Sequence, residues 1–231
     1  MKKILLCILV FFAAGYFVVM ETETGQDLFL DRLLSVMTQN QQTAPVDGLD
    51  VYICGASSPL STTGNAQSCV FIIAGDRSFV VDTGPGSPRV IRRLGLPLNN
   101  LEAVLLTHFH GDHISALGDV NFNSWVAGRG KKLTVMGPEG VDLVVNGFNQ
   151  VYSLDSSYRT RHHGWDILPL EYSVMQSKTI EAGLVFEEDG LSIRAFRVDH
   201  SPIEPAVGYR FDYKGRSVAV SGDSIVTEDY R

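Results

Sequence analysis

Thr107-His108-Phe109-His110-Gly111-Asp112-His113 decides how this chain is read. Three of the six histidines and one carboxylate fall within these few positions. The apolar run Ala103–Thr107 before them reads as a buried strand leading straight into His108, and Gly111 permits a tight turn. His108 and His110 are two apart, so they share one side of an extended chain. Asp112 and His113 open the next element and can point back toward them. Nitrogen and oxygen donors meeting at one loop are what zinc and similar divalent ions require. A run of this kind between a buried strand and a helix reads as a metal site.

Outward from this stretch, strand-like and helical runs alternate. Strands are expected at Leu49–Cys54, Ser68–Ala74 and Ser78–Asp82, the last two joined by the hairpin signal Gly75-Asp76-Arg77. Ser87–Leu94 reads as a short basic helix carrying Arg89, Arg92 and Arg93, and Ile114–Val126 as a second helix. Leu133–Met136 reads as a strand, and Pro138 opens a helix to about Leu154, since proline is favoured in the first turn. The segment Tyr158-Arg159-Thr160-Arg161-His162-His163-Gly164 is expected to form a loop over the site. Alternating strands return at Leu191–Val198, Ala206–Tyr213 and Ser217–Ser221. The pattern predicts the α/β class with a mixed sheet.

Several of these segments, in this order, resemble the metallo-β-lactamase-fold hydrolases, within them the branch of ribonuclease Z and its arylsulfatase-like relatives. Cys54-Gly55-Ala56-Ser57-Ser58-Pro59 is similar to the glycine loop after the family's first strand. Val81-Asp82-Thr83-Gly84 matches the buried-aspartate motif, and 107–113 the metal motif. Val198-Asp199-His200 leading into Gly208-Tyr209-Arg210 is similar to the third-histidine motif, and Ser221-Gly222-Asp223-Ser224 to the motif of the bridging aspartate. The resemblance implies an αββα sandwich holding two zinc ions. His108, His110 and His200 would hold the first, Asp112 and His113 the second, with Asp223 bridging. Asp112 is also expected to orient the attacking hydroxide and accept its proton. For Asp82 two readings stand side by side: it orients a ligating imidazole, or it caps a turn.

The family carries one more histidine near its carboxyl end. This chain ends at Arg231, eight residues after Asp223, with Ser224–Arg231 reading as the start of a helix. The expectation is a fold lacking its last strands and helix, a weaker second metal, and an exposed edge at Ser217–Ser221. His162 and His163 lie outside the matched motifs. They are candidates for contacting an anionic substrate or for supplying the missing ligand, beside the plainer reading of a solvated loop that does neither.

Composition bounds the remaining choices. Of 231 residues 45% are apolar and 19% charged, with 22 glycines and 9 prolines, which excludes disordered, coiled-coil and collagen-like chains. The formal charge is −7, which weighs against a dedicated nucleic-acid binder. Lys2 and Lys3 precede an uncharged apolar run, Ile4–Met20, closed by Glu21 and Glu23. Residues 1–20 are therefore expected to be a signal peptide or an uncleaved membrane anchor, with the domain outside the cytoplasm. Residues 21–47 read as a spacer with a short helix around Asp27–Met37, and 48–231 as the hydrolase domain. In an oxidising compartment Cys54 and Cys69 either form a disulfide or remain two buried thiols.

The expected activity is an exported, metal-dependent hydrolase of a small anionic ester, a phosphodiester or an aryl sulfate. RNA is ranked below it, as substrate of a ribonuclease Z-type enzyme, for three reasons: the leader, the negative charge, and the short Phe211–Val220 span between Gly-Tyr-Arg and Ser-Gly-Asp. The arginines at 89, 92, 93, 159 and 161 count in its favour. A catalytically inactive metal-binding domain is a further alternative. Contact with a membrane would run through an uncleaved leader, and self-association is left open.

Overall fold

The computed structural model describes residues 47–61 and 64–225, together with 16, 17, 21, 22 and 24–27. The chain divides into two units, 1–44 and 45–231. In the first, the described residues 24–27 are helical, and the Gly25 amide donates to Thr22 Oγ1 at 3.1 Å. Most of the expected leader, most of the helix expected around Asp27–Met37 and residues 226–231 lie outside the described residues. Among the described residues, no helix is long and apolar enough to cross a membrane.

In the second unit, β1 (Leu49–Gly55), β2 (Cys69–Ala74) and β3 (Arg77–Val81) form an antiparallel meander. Three parallel strands extend it: β4 (Leu101–Leu105), β5 (Leu133–Gly137) and β6 (Met175–Thr179), in sequential order. A second, antiparallel sheet runs β10-β9-β8-β7, from β7 (Gly183–Glu188), β8 (Leu191–Arg197), β9 (Val207–Tyr213) and β10 (Arg216–Val220). The helices are α1 (Ser87–Arg93), α2 (Gly111–Ile114), α3 (Leu117–Val126), α4 (Val141–His163) and α5 (Leu170–Ser173).

The central strands of the first sheet, β2 to β5, are buried on both faces, which is why they read as unbroken apolar runs. Phe71, Val80, Val104 and Val135 pack against Ile91, Leu117 and Val141 of the helices. On the opposite face Ile72, Phe79 and Leu105 meet Ile193, Tyr209 and Phe211 of the second sheet. Phe79 and Phe211 stack edge to face with centroids 5.7 Å apart. These layers are those of the expected α/β sandwich. Among the described residues β10 pairs with β9 alone.

Several expectations are corrected. β4 ends at Leu105, not Thr107, because the Thr107 amide donates to the Asp82 side chain at 2.9 Å rather than to a neighbouring strand. α4 opens at Val141 and runs past Leu154 to His163, so 158–163 is helix rather than a loop. Its later buried positions are Ser156 and Thr160, which carry no apolar period, although Thr160 Oγ1 donates to the Leu168 carbonyl at 2.8 Å. Between Gly164 and Leu191, where the sequence pattern points to no strand, lie β6 and β7. Polar Met-Gln-Ser-Lys-Thr becomes a strand through its pairing with β5, and Asn149 of α4 pins it at both the amide and the carbonyl of Met175. The cysteines are resolved as one disulfide, Cys54–Cys69, joining the end of β1 to the start of β2 with Cα atoms 5.0 Å apart.

Candidate metal centre

The parallel strands deliver their carboxyl ends to one edge of the sandwich. β3 is followed by Asp82, which adopts φ 58° and is 1% exposed. Its Oδ1 accepts from the Thr107 amide at 2.9 Å, and its Oδ2 accepts from Thr107 Oγ1 and from His113 Nδ1, both at 2.8 Å. The same carboxylate thus bonds the turn at Thr107 and the His113 ring, a geometry that accommodates both readings of Asp82.

These bonds settle the ring tautomers. The Thr107 hydroxyl has one proton, and the acceptor-only carboxylate takes it. Toward His108 Nδ1, 3.0 Å away, the hydroxyl therefore accepts, so Nδ1 carries the hydrogen and Nε2 presents its lone pair. The same logic leaves His113 Nε2 free, facing Asp223 Oδ1 at 3.4 Å and Asp112 Oδ2 at 3.6 Å. Thr107 is the residue that sequence reasoning passed over. Its signal was a polar side chain lodged between an apolar strand and the first histidine.

His108 Nε2 and His110 Nδ1 lie 3.0 Å apart. The His200 ring arrives from the loop after β8, with its centroid 4.7 Å from that of His108 and 5.3 Å from that of His110. Asp223 follows β10 through Gly222, where φ is 63° and a Cβ would stand 2.8 Å from Thr107 Oγ1. Only glycine permits that approach. Two donor sets result: His108, His110, His200 and Asp223, and Asp112, His113 and Asp223, with all donor atoms of a set within 4.8 Å of one another. Asp223 belongs to both.

The electrostatics suit a cation. Burial, reinforced by the neighbouring His113, His200 and His110, pushes the His108 pKa down to about 3, so its ring is neutral at ordinary pH. Burial also opposes charge on His113, but the hydrogen bond and charge of Asp82, with Asp223 and Asp112, outweigh it and raise that pKa. His200 Nε2 is buried without a hydrogen-bond partner. An orphaned imidazole nitrogen aimed among carboxylate and imidazole donors is what a ligand position looks like. The residues present therefore fit a divalent ion.

Beside the centre runs a groove of about 760 Å³, lined by Glu139, Thr179, Glu181, Arg197 and Glu204. Its wall includes Val198, two residues before His200, and Val207, whose amide donates to the Thr107 carbonyl at 3.0 Å. His162 and His163 belong to neither donor set. They sit in the last turn of α4, which starts near the centre and carries its far end about 34 Å along its axis. Of the readings open for them, that of a substitute ligand finds no support in these donor sets.

The profile of the metallo-beta-lactamase superfamily matches residues 62–230. A ribonuclease Z of Mycolicibacterium gilvum (strain PYR-GCK) is 33% identical over 180 residues, covering 77% of this chain and 62% of that protein. A ribonuclease Z of Mycobacterium bovis (strain BCG / Pasteur 1173P2) is 34% identical over 180 residues, covering 77% and 63%. The chain thus spans a little over three fifths of the length of these curated relatives. Among solved structures, the metallo-beta-lactamase fold protein YhfI from Bacillus subtilis aligns with TM-score 0.58 at 18% identity, over 80% of this chain and 67% of that one. The short form of human tRNase Z aligns with TM-score 0.57 at 20% identity, over 78% and 71%. At these identities the structural likeness is one of fold.

Proposed function

Because this chain belongs to the metallo-β-lactamase superfamily, we propose that it hydrolyses phosphodiester bonds of RNA with the help of two divalent metal ions, zinc by the chemistry of its donors. The observation that carries this reading is the pair of donor sets sharing Asp223. The names of the curated relatives support RNA, reversing the order in which sequence alone ranks the substrates.

In this reading His108, His110 and His200 hold one ion, Asp112 and His113 the other, and Asp223 both. Bound there, the ions supply a nucleophilic water at neutral pH and stabilise charge developing on the phosphate. Asp82 and Thr107 hold the His113 and His108 rings with their ligating nitrogens turned inward. Asp112 accepts the proton of the attacking water on the carboxylate oxygen not turned toward His113.

A second reading, an exported hydrolase of a small anionic ester such as an aryl sulfate, is favoured by the Cys54–Cys69 disulfide. Such bridges persist outside the cytoplasm, which agrees with Lys2-Lys3 and the apolar run after them. Zinc-loaded full-length protein offered a bis-aryl phosphodiester, an aryl sulfate and a 3′-extended precursor tRNA separates the two. Cleavage of the RNA at one position supports the first. Turnover of the aryl sulfate with intact RNA overturns it. A reporter fused after Gln42 and active only in the cytoplasm would overturn export.

A further inference from the structure

One flank of the fold concentrates positive charge on a chain whose formal charge is −7. Residues 51–74 include no charged side chain, and the only ones in residues 83–101 are Arg89, Arg92 and Arg93. All three arginines are exposed on α1, and among the described residues none is ion-paired. These segments meet in space. Ile53 of β1, Ser57, Ser58 and Arg93 line one hollow of about 520 Å³, and Arg89 Nη2 donates to the Gly64 carbonyl at 3.2 Å.

Apolar side chains stand around the arginines. Leu60, in the turn after Ser58, is 90% exposed, Ile53 61%, and Leu94, just after α1, 48%. Among the described residues β1 pairs with β2 alone, so the exposed Val51, Tyr52 and Ile53 lie on an open edge. Exposed apolar residues gathered in this way mark an interaction site.

We propose that this flank docks on the surface of a membrane that carries anionic phospholipid. Cations meet the headgroup phosphates, while the aliphatic side chains enter the acyl boundary. Ser57, Ser58 and Arg93 give the hollow hydroxyls and a guanidinium with which to hold one headgroup phosphate. The acids stand at the other end of β1, where Asp47 accepts from Tyr213 Oη and Lys214 Nζ and Asp50 follows. Single-stranded nucleic acid is gripped by aromatic rings beside the cations, and here the exposed apolar side chains, Tyr52 apart, are aliphatic. In sequence β1 is the first strand after the apolar run of residues 4–20. A leader held in a membrane would therefore tether the chain by the strand that carries the patch.

The test uses full-length Cys7→Ser protein with Leu60→Cys, labelled with a polarity-sensitive dye and reconstituted into vesicles of mixed phosphatidylglycerol and phosphatidylcholine. The dye at 60 is expected to shift to the blue and to be quenched by lipids spin-labelled in their acyl chains. The same dye at Glu187→Cys, on β7, should stay in water. In phosphatidylcholine alone, or in high salt, the signal at 60 should be lost. An arginine at an anionic surface is worth about a fivefold gain, so Arg92→Gln with Arg93→Gln should weaken the contact about 25-fold at an unchanged melting temperature. A dye at 60 that stays in water in both kinds of vesicle overturns the proposal, as does a contact untouched by the double variant. So does a blue shift that needs no anionic lipid, which would mean that another segment of the chain covers the patch. Equal quenching at 60 and 187 overturns it too. A signal at 60 that answers to 3′-extended tRNA and not to vesicles does the same, and would make the flank an RNA contact.

Discussion

Asp82 gathers three hydrogen bonds on one carboxylate, two from Thr107 and one from His113, in a fully buried position. Asp82→Asn leaves an acceptor for one partner only and turns an amide donor toward another. Loss of such an orienting group costs about 10–100-fold in metal affinity. Competition with a chromogenic chelator should show that loss chiefly in the second zinc equivalent, the one His113 would hold in the proposed arrangement. Unchanged affinity would leave Asp82 with turn capping alone. Replacing His108 and His110 together by Ala removes half of the first donor set, and tight zinc binding is expected to disappear. Metal retained stoichiometrically by that variant would refute the assignment. At this scale the sequence was informative where donors are adjacent. His108 to His113 announce themselves, whereas His200 and Asp223 each stand in an ordinary loop and matter only through the order of the motifs around them.

Cys54–Cys69 shows an element-scale device that residue types left undecided. The bridge closes a 15-residue separation, and the end of the loop it spans is held to the segment after Asp82, where the Gly84 amide donates to the Ser68 carbonyl at 2.8 Å. Removing the cross-link by Cys54→Ser with Cys69→Ser should cost about 3 kcal/mol, by the loop-closure entropy it withholds from the unfolded chain. Thermal melts with and without reductant measure it, and the double variant should no longer respond to reductant. Arg129 performs the corresponding task between α3 and α5. It is 1% exposed, and burial lowers its pKa to about 10, which leaves it charged at neutral pH. Its guanidinium donates to Asn121 Oδ1 at 2.7 Å, Ser124 Oγ at 3.0 Å and the carbonyls of Lys131 and Tyr172 at 2.8 and 3.0 Å. Arg129→Met strands those acceptors, so a loss of roughly 3 kcal/mol and a melting temperature about 6–12 °C lower are expected. A melting temperature within one degree of wild type would show that water replaces the guanidinium without loss. Elements with local signals, such as β2 and β3 joined by the Gly75-Asp76-Arg77 turn, were legible. β6 and the second half of α4 were not, because polar residues there are held by partners distant in the chain.

For the molecule as a whole, metal and fold are linked. An ion that binds only the folded state stabilises it by about 2.7 kcal/mol at a hundredfold excess over its dissociation constant. Stripping the protein with a chelator should therefore lower its melting temperature by about 5–10 °C, and adding zinc back should restore it. A melting curve indifferent to chelator would mean that the donor sets hold nothing tightly. The sequence by itself determined the kind of chemistry and the class of fold. The donor types sit side by side at 108–113, and the buried central strands are continuous apolar runs, so covalent adjacency and local period carry both. Tertiary structure alone decided the rest. It brought His200 and Asp223 to His108, joined two cysteines that could equally have stayed apart, and carried His162 and His163 away on a helix longer than its apolar pattern. Each of these outcomes depends on which distant segments pack or pair, and no local period encodes that.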